Sequence, residues 1–229
     1  MTDQQQSAPE QPLFDMTEIV GTKLASLRDA LAQMDPHELN NVSQPSGFID
    51  SLIQAGKMAV DALKSGNKLM AAGNGGSAAE AQHLTGEIVG RFRRDKQPLP
   101  AICLHADTSS LTAISNDFGY DTVFARQVRA FGSPGDVLFL LSTSGRSNNL
   151  VEAALAARSL GVGCVALLGS GGGELASVCD VAVRVPSSDP QVVQEVHLFV
   201  VHCIAWAIEE AFTGSNPASQ KMDLSTKDS

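Results

Sequence analysis

The run Gly73-Asn-Gly-Gly-Ser-Ala-Ala-Glu-Ala-Gln-His-Leu-Thr-Gly-Glu87 combines an anion cradle with acid–base side chains. Gly73, Gly75 and Gly76 permit a tight turn around Asn74 with free backbone N–H groups, and Ser77 stands where a helix should start. A glycine turn feeding a helix N-terminus attracts an anion, because the free N–H groups and the helix dipole both favour negative charge. The spacing is neither that of a Walker loop nor G-x-G-x-x-G, and a strand–helix turn capped by Ser77 is the plainer alternative. Further along the same helix, His83 and Glu87 stand at i and i+4 and share a face. One stretch therefore offers a phosphate site at one end and proton chemistry at the other.

A second anion element is Leu141-Ser-Thr-Ser-Gly-Arg-Ser147, which follows an apolar run. Ser142, Thr143, Ser144 and Ser147 crowd four hydroxyls ahead of a helix that should start near Asn148. One hydroxyl suffices for a cap, and four favour an oxyanion ligand over capping alone.

The chain's last apolar segment places Gln194, Leu198 and His202 on one stripe at i, i+4 and i+8. Together His83, Glu87, Gln194 and His202 have the donors of a zinc-type site, with imidazole nitrogen and carboxylate or amide oxygen. The competing reading is that the histidines are satisfied core residues. His197 falls off the stripe and reads as structural, and Glu195 reads as surface. Ser115-Asn116-Asp117-Phe118-Gly119-Tyr120 has turn composition, and its polar side chains alternatively bond ligand hydroxyls.

These groups need a scaffold, and the apolar pattern supplies one. Five short runs read as buried strands: 68–72, 101–104, 137–141, 164–168 and 181–185. Helical stretches separate them at 77–91, 108–114 with 122–130, 148–160 and 173–178, and a long helix over about 191–212 closes the domain. Apolar strands joined by helical crossovers predict an α/β fold: a parallel five-stranded sheet in a three-layer αβα sandwich. Both hydroxyl-rich turns then fall at strand carboxyl ends, where such sheets bind ligands. Two further helices, 15–34 and 46–65, are expected ahead of the first strand. The predicted organisation is a disordered tail over 1–14, a helical extension over 15–45, the α/β domain over 46–212 and a second disordered tail over 213–229.

The 229 residues carry a formal net charge of −9. That balance argues against general nucleic-acid binding, which needs a basic face, but not against a phosphate held by local dipoles. The four cysteines, Cys103, Cys164, Cys179 and Cys203, form no Cys-x-x-Cys pair and read as reduced thiols. The polar, Gln-rich start does not resemble a signal peptide, and no apolar run is expected to span a membrane. The expected location is the cytoplasm.

Taken together, Gly73–Ser77, Gln82-His83 with Glu87, Gly90-Arg91-Phe92, Asn116–Gly119, Ser142–Gly145 with Ser147, and Gln194-Glu195 with His202 resemble the sugar isomerase (SIS) domain. Over about 46–212 the likeness is to the bacterial phosphoheptose isomerases, with a flavodoxin-like strand arrangement. The resemblance implies isomerisation of sedoheptulose 7-phosphate to D-glycero-D-manno-heptose 7-phosphate for surface-glycan heptose. It implies Glu87 and His202 as the acid–base pair and one zinc per subunit on His83, Glu87, Gln194 and His202. The sugar phosphate would be held by Asn74, Gly75, Gly76, Ser77, Glu87, Asn116, Asp117, Ser142, Thr143, Ser144, Ser147 and Gln194. A homotetramer with sites at subunit interfaces is also implied. Two features depart from the pattern: the stretch before Ser46 is long, and Pro190 shortly precedes Gln194. A related SIS protein that binds the replication initiator, or a sugar-phosphate sensor, is the non-catalytic alternative. That initiator-binding relative lacks counterparts of Glu87 and His202.

Overall fold

The computed structural model describes residues 16–34 and 47–213. Both predicted disordered tails lie outside these residues, except that Thr213 is still helical. Helices α1 (Met16–Ala32) and α2 (Phe48–Lys64) precede β1 (Leu69–Gly73). The chain then runs α3 (Gly76–Val89), β2 (Ala101–Cys103), α4 (Thr108–Phe118), a 3₁₀ turn (Tyr120–Thr122), α5 (Val123–Phe131), β3 (Val137–Ser142) and α6 (Asn148–Ser159). It ends with β4 (Gly163–Leu168), α7 (Leu175–Val178), β5 (Val181–Arg184) and α8 (Pro190–Thr213).

The five strands form one parallel sheet in the order β2-β1-β3-β4-β5. Alternate strand residues face opposite sides. Leu69, Ala71, Phe139, Leu141, Val165 and Leu167 pack under α2, α3 and α8. Met70, Ala72, Leu138, Leu140, Ala166 and Leu168 pack under α5 and α6. The result is the expected three-layer sandwich. From β1 the chain crosses outward to β2, then returns to place β3 on the other side of β1. The carboxyl ends of β1 and β3 therefore flank the topological switch point, and both hydroxyl-rich turns start there.

Three expectations need correcting. Helix α3 is entered through Gly75, at φ 56°, and its cap uses no side chain. Ser77 is inside the first turn and buried, not the N-cap. Asn116 and Asp117 are not in a turn: α4 starts on Asp107, whose carboxylate accepts from Ser109 and Ser110 N–H, and it continues until Gly119 at φ 86° stops it. Finally, α8 is long and apolar enough to cross a membrane, against the expectation of no such run. Half of its most apolar window is buried in this domain, and its hidden residues include His197 and Glu209.

Pro190 causes no disruption. It opens α8, where its missing N–H leaves no bond unmade, and the Asp189 carboxylate accepts from Gln191 N–H at 2.9 Å.

Candidate active site

Helices α3 and α8 run side by side and bring their polar residues together. The Nε2 atoms of His83 and His202 are 3.0 Å apart, and Glu87 Oε1 is 3.2 Å from His83 Nε2. One donor atom from each of His83, Glu87 and His202 falls within a 4.8 Å cluster. Neighbouring donors around a tetrahedral zinc at ~2.0–2.1 Å are about 3.3 Å apart, so this spacing fits a small divalent ion with nitrogen and oxygen ligands. His83, Glu87, Gln82 and Arg91 line an open cleft of about 470 Å³.

The loop after α3 completes one wall. Glu209 is fully buried, and its carboxylate accepts the N–H groups of Arg93 and Arg94 at 2.7 and 2.8 Å. That anchor leaves Phe92 tilted against the His202 ring, with centroids 5.6 Å apart. The imidazole is thereby held between Phe92 and His83.

Gln194 meets the other end of α3: a Cβ built on Gly76 would touch its carboxamide, so the end of this side chain lies against the turn. Gly76 lies seven residues before His83, roughly 10 Å of helix rise away. The visible contact of Gln194 is therefore with the glycine turn after β1.

The second turn is packed on a glycine-rich loop that follows β4. Gly145, at φ 64°, has no room for a Cβ against the Gly172 carbonyl, and Leu175 N–H donates to Gly145 O at 3.1 Å. Ser142 Oγ accepts from Gly145 N–H at 3.0 Å, and Ser144 Oγ accepts from Arg146 N–H at 3.3 Å. Each hydroxyl keeps its own hydrogen to donate. Ser147 occupies the N-cap position of α6 but makes no side-chain cap bond, so its hydroxyl is not used by the helix. The hydroxyls of Ser142, Ser144 and Ser147 thus have donor capacity for an anion.

Asn74 joins the two turns. Its amide exchanges two hydrogen bonds with Asn149 at 2.9 and 3.0 Å, and Tyr120 OH donates to Asn74 Oδ1 at 2.9 Å. Asn116 and Asp117 lie exposed on the last turn of α4, bonded to each other at 2.8 Å, just before the Tyr120 turn. Sequence reasoning missed Asn149, and it placed Tyr120 in a candidate segment without its partner: both pair with Asn74, far away in the chain.

Other polar groups near the site do different work. His197 is fully buried, with Nδ1 3.8 Å from Glu80 Oε2, in keeping with its structural reading. Glu195 pairs with Lys23 at 3.0 Å and ties α1 to α8. The four cysteines are free, and burial pushes the Cys103 and Cys203 thiols up, so they stay protonated.

The SIS domain family matches residues 47–169. The phosphoheptose isomerase of Campylobacter concisus is 45% identical over 182 residues, which is 80% of this chain and 96% of that protein. That of Rhodospirillum rubrum is 47% identical over 161 residues, 70% of this chain and 86% of that one. Among solved structures, the phosphoheptose isomerase of Francisella tularensis superposes with a TM-score of 0.76 at 32% identity, over 85% of this chain and 98% of that chain. The Neisseria gonorrhoeae enzyme gives 0.74 at 36% identity, over 85% and 99%. With its own His83, Glu87 and His202 gathered in one cluster, this chain belongs to the phosphoheptose isomerases of the SIS domain family.

Proposed function

We propose that the protein interconverts sedoheptulose 7-phosphate and D-glycero-D-manno-heptose 7-phosphate through an enediol, for surface-glycan heptose. The carrying observation is the convergence of His83, Glu87 and His202 a short way along α3 from the anion turn. Isomerisation moves one proton between adjacent carbons and one between their oxygens. Glu87 is the group to take the carbon-bound proton, and His202, steadied by Phe92, serves the oxygens.

The phosphate is assigned to the backbone of Gly75 and Gly76 with the hydroxyls of Ser142, Thr143, Ser144 and Ser147. Ser77, Asn74, Asn116, Asp117, Glu87 and Gln194 are assigned to the remainder of the substrate. Zinc, one per subunit, would be held by His83, Glu87 and His202; the Gln194 carboxamide, which lies against Gly76 here, would turn toward the cluster to act as the fourth ligand. When bound, it polarises the sugar carbonyl. A homotetramer in the cytoplasm is the assembly and location we assign. Exposed Ile53, Leu198, Phe199 and Trp206 on α2 and α8 support subunit contacts.

The test is turnover of sedoheptulose 7-phosphate by purified, folded protein with zinc supplied. Formation of the aldose heptose phosphate is expected. A sensitive assay that finds none would overturn the proposal.

A further inference from the structure

Asn74 Oδ1 accepts two hydrogen bonds, from Tyr120 OH and Asn149 Nδ2, both at 2.9 Å. Its Nδ2 donates one bond to Asn149 Oδ1 at 3.0 Å. An amide oxygen has two acceptor sites and an amide nitrogen two hydrogens. Asn74 is thus saturated on oxygen and retains one N–H for a ligand. The partners come from three separate elements. Asn74 belongs to the turn after β1, Asn149 to the first turn of α6 behind the Ser142–Ser147 hydroxyls, and Tyr120 to the turn that follows Asn116 and Asp117. Asn149 is 3% exposed, so its amide must be paired within the protein. Tyr120 is half exposed, so burial alone does not explain where its hydroxyl points.

We propose that Tyr120 and Asn149 are positioning residues for the sugar-phosphate site: through Asn74 they fix the orientation of its amide and the spacing of the two anion turns. Such bonds add affinity by removing alternative arrangements before the ligand arrives. This rests on the functional reading above, but the network is a feature of this chain's own geometry.

The experiment compares Tyr120→Phe, Asn74→Ala and the double variant in the full zinc-supplied chain. Tyr120→Phe deletes one oxygen from a half-exposed ring and should leave the melting temperature unchanged. A net hydrogen bond of ~1 kcal/mol corresponds to about a fivefold rise in KM for sedoheptulose 7-phosphate, with kcat little changed. Calorimetric affinity for inorganic phosphate should fall in parallel. In the Asn74→Ala background Tyr120→Phe should have no further effect, because Tyr120 acts through that side chain. Unchanged KM and phosphate affinity would overturn the proposal, as would an equal effect with or without Asn74. A loss of melting temperature alone would make the network structural. If the wild-type chain binds phosphate but does not turn over the heptose phosphate, the functional reading fails, and the phosphate titrations still decide the role of Tyr120.

Discussion

Ser142 and Ser147 should respond differently to loss of their hydroxyls, although both stand in the same turn. Ser142 is 6% exposed, and its Oγ accepts the Gly145 N–H at 3.0 Å. Ser142→Ala leaves that N–H without its partner, at a cost of about 1–3 kcal/mol. For a domain of this size each kcal/mol lowers the melting temperature by roughly 2–4 °C, so a fall of about 2–12 °C is expected. Ser147 makes no cap bond, and α6 is started by its carbonyl, which accepts from Leu150 N–H at 3.0 Å. That carbonyl survives in Ser147→Ala, so the melting temperature should stay within about 2 °C, the range of an ordinary surface substitution. For the ligand the two variants should look alike. A hydrogen bond to a charged phosphate is worth ~1.5–3 kcal/mol, which is about 12- to 160-fold in affinity. The assays are calorimetric titration with sugar phosphate and thermal unfolding without it. A Ser147→Ala protein that loses stability but binds normally would show that the hydroxyl serves the helix and not the ligand. A Ser142→Ala protein that loses nothing in either assay would refute the turn geometry itself.

Glu87→Gln keeps an oxygen for a metal but cannot accept a proton, so kcat should fall by ~10²–10⁴-fold while sugar-phosphate affinity persists; near-normal turnover would reassign the base to His202. His83→Ala should lower zinc content, measured by metal analysis after chelator-free purification, without unfolding a chain in which this side chain is 43% exposed. Burial pushes the His105 imidazole below its ordinary value, so the folded state holds fewer protons there than the unfolded chain. Its contribution to stability is therefore present above about pH 6.5 and is lost as pH falls toward the lowered value; His105→Gln should flatten that part of the denaturant-midpoint profile.

The fold was legible because its signals are local. Buried parallel strands read as apolar runs, and apolar positions at helical spacing mark the crossovers between them, signals that need no distant partner. The errors follow the same logic in reverse. Ser77 has the composition of a cap, but Gly75, at φ 56°, takes the cap position, so α3 starts at Gly76 and Ser77 falls inside the first turn. Asn116 and Asp117 have the composition of a turn, but Gly119 delays the helix stop beyond them.

In the candidate site, what could be read depended on which chain separations spacing can encode. His83 and Glu87 share a helix face, and the turn hydroxyls are neighbours in sequence, so both groups can be found without coordinates. The contact of His83 with His202 spans 119 residues, and the amide pair of Asn74 with Asn149 spans 75. Only the sheet order, which sets β1 beside β3 and lays α8 along α3, brings those partners together. His202 could still be singled out because imidazole has few roles and lies on the same stripe as Gln194. An asparagine just after a helix start or a tyrosine beside a glycine has many, so Asn149 and Tyr120 become interpretable only when their hydrogen-bond partners are seen. The chemistry-bearing residues are thus the more legible part of this site, and the residues that orient them are the part that needs the fold.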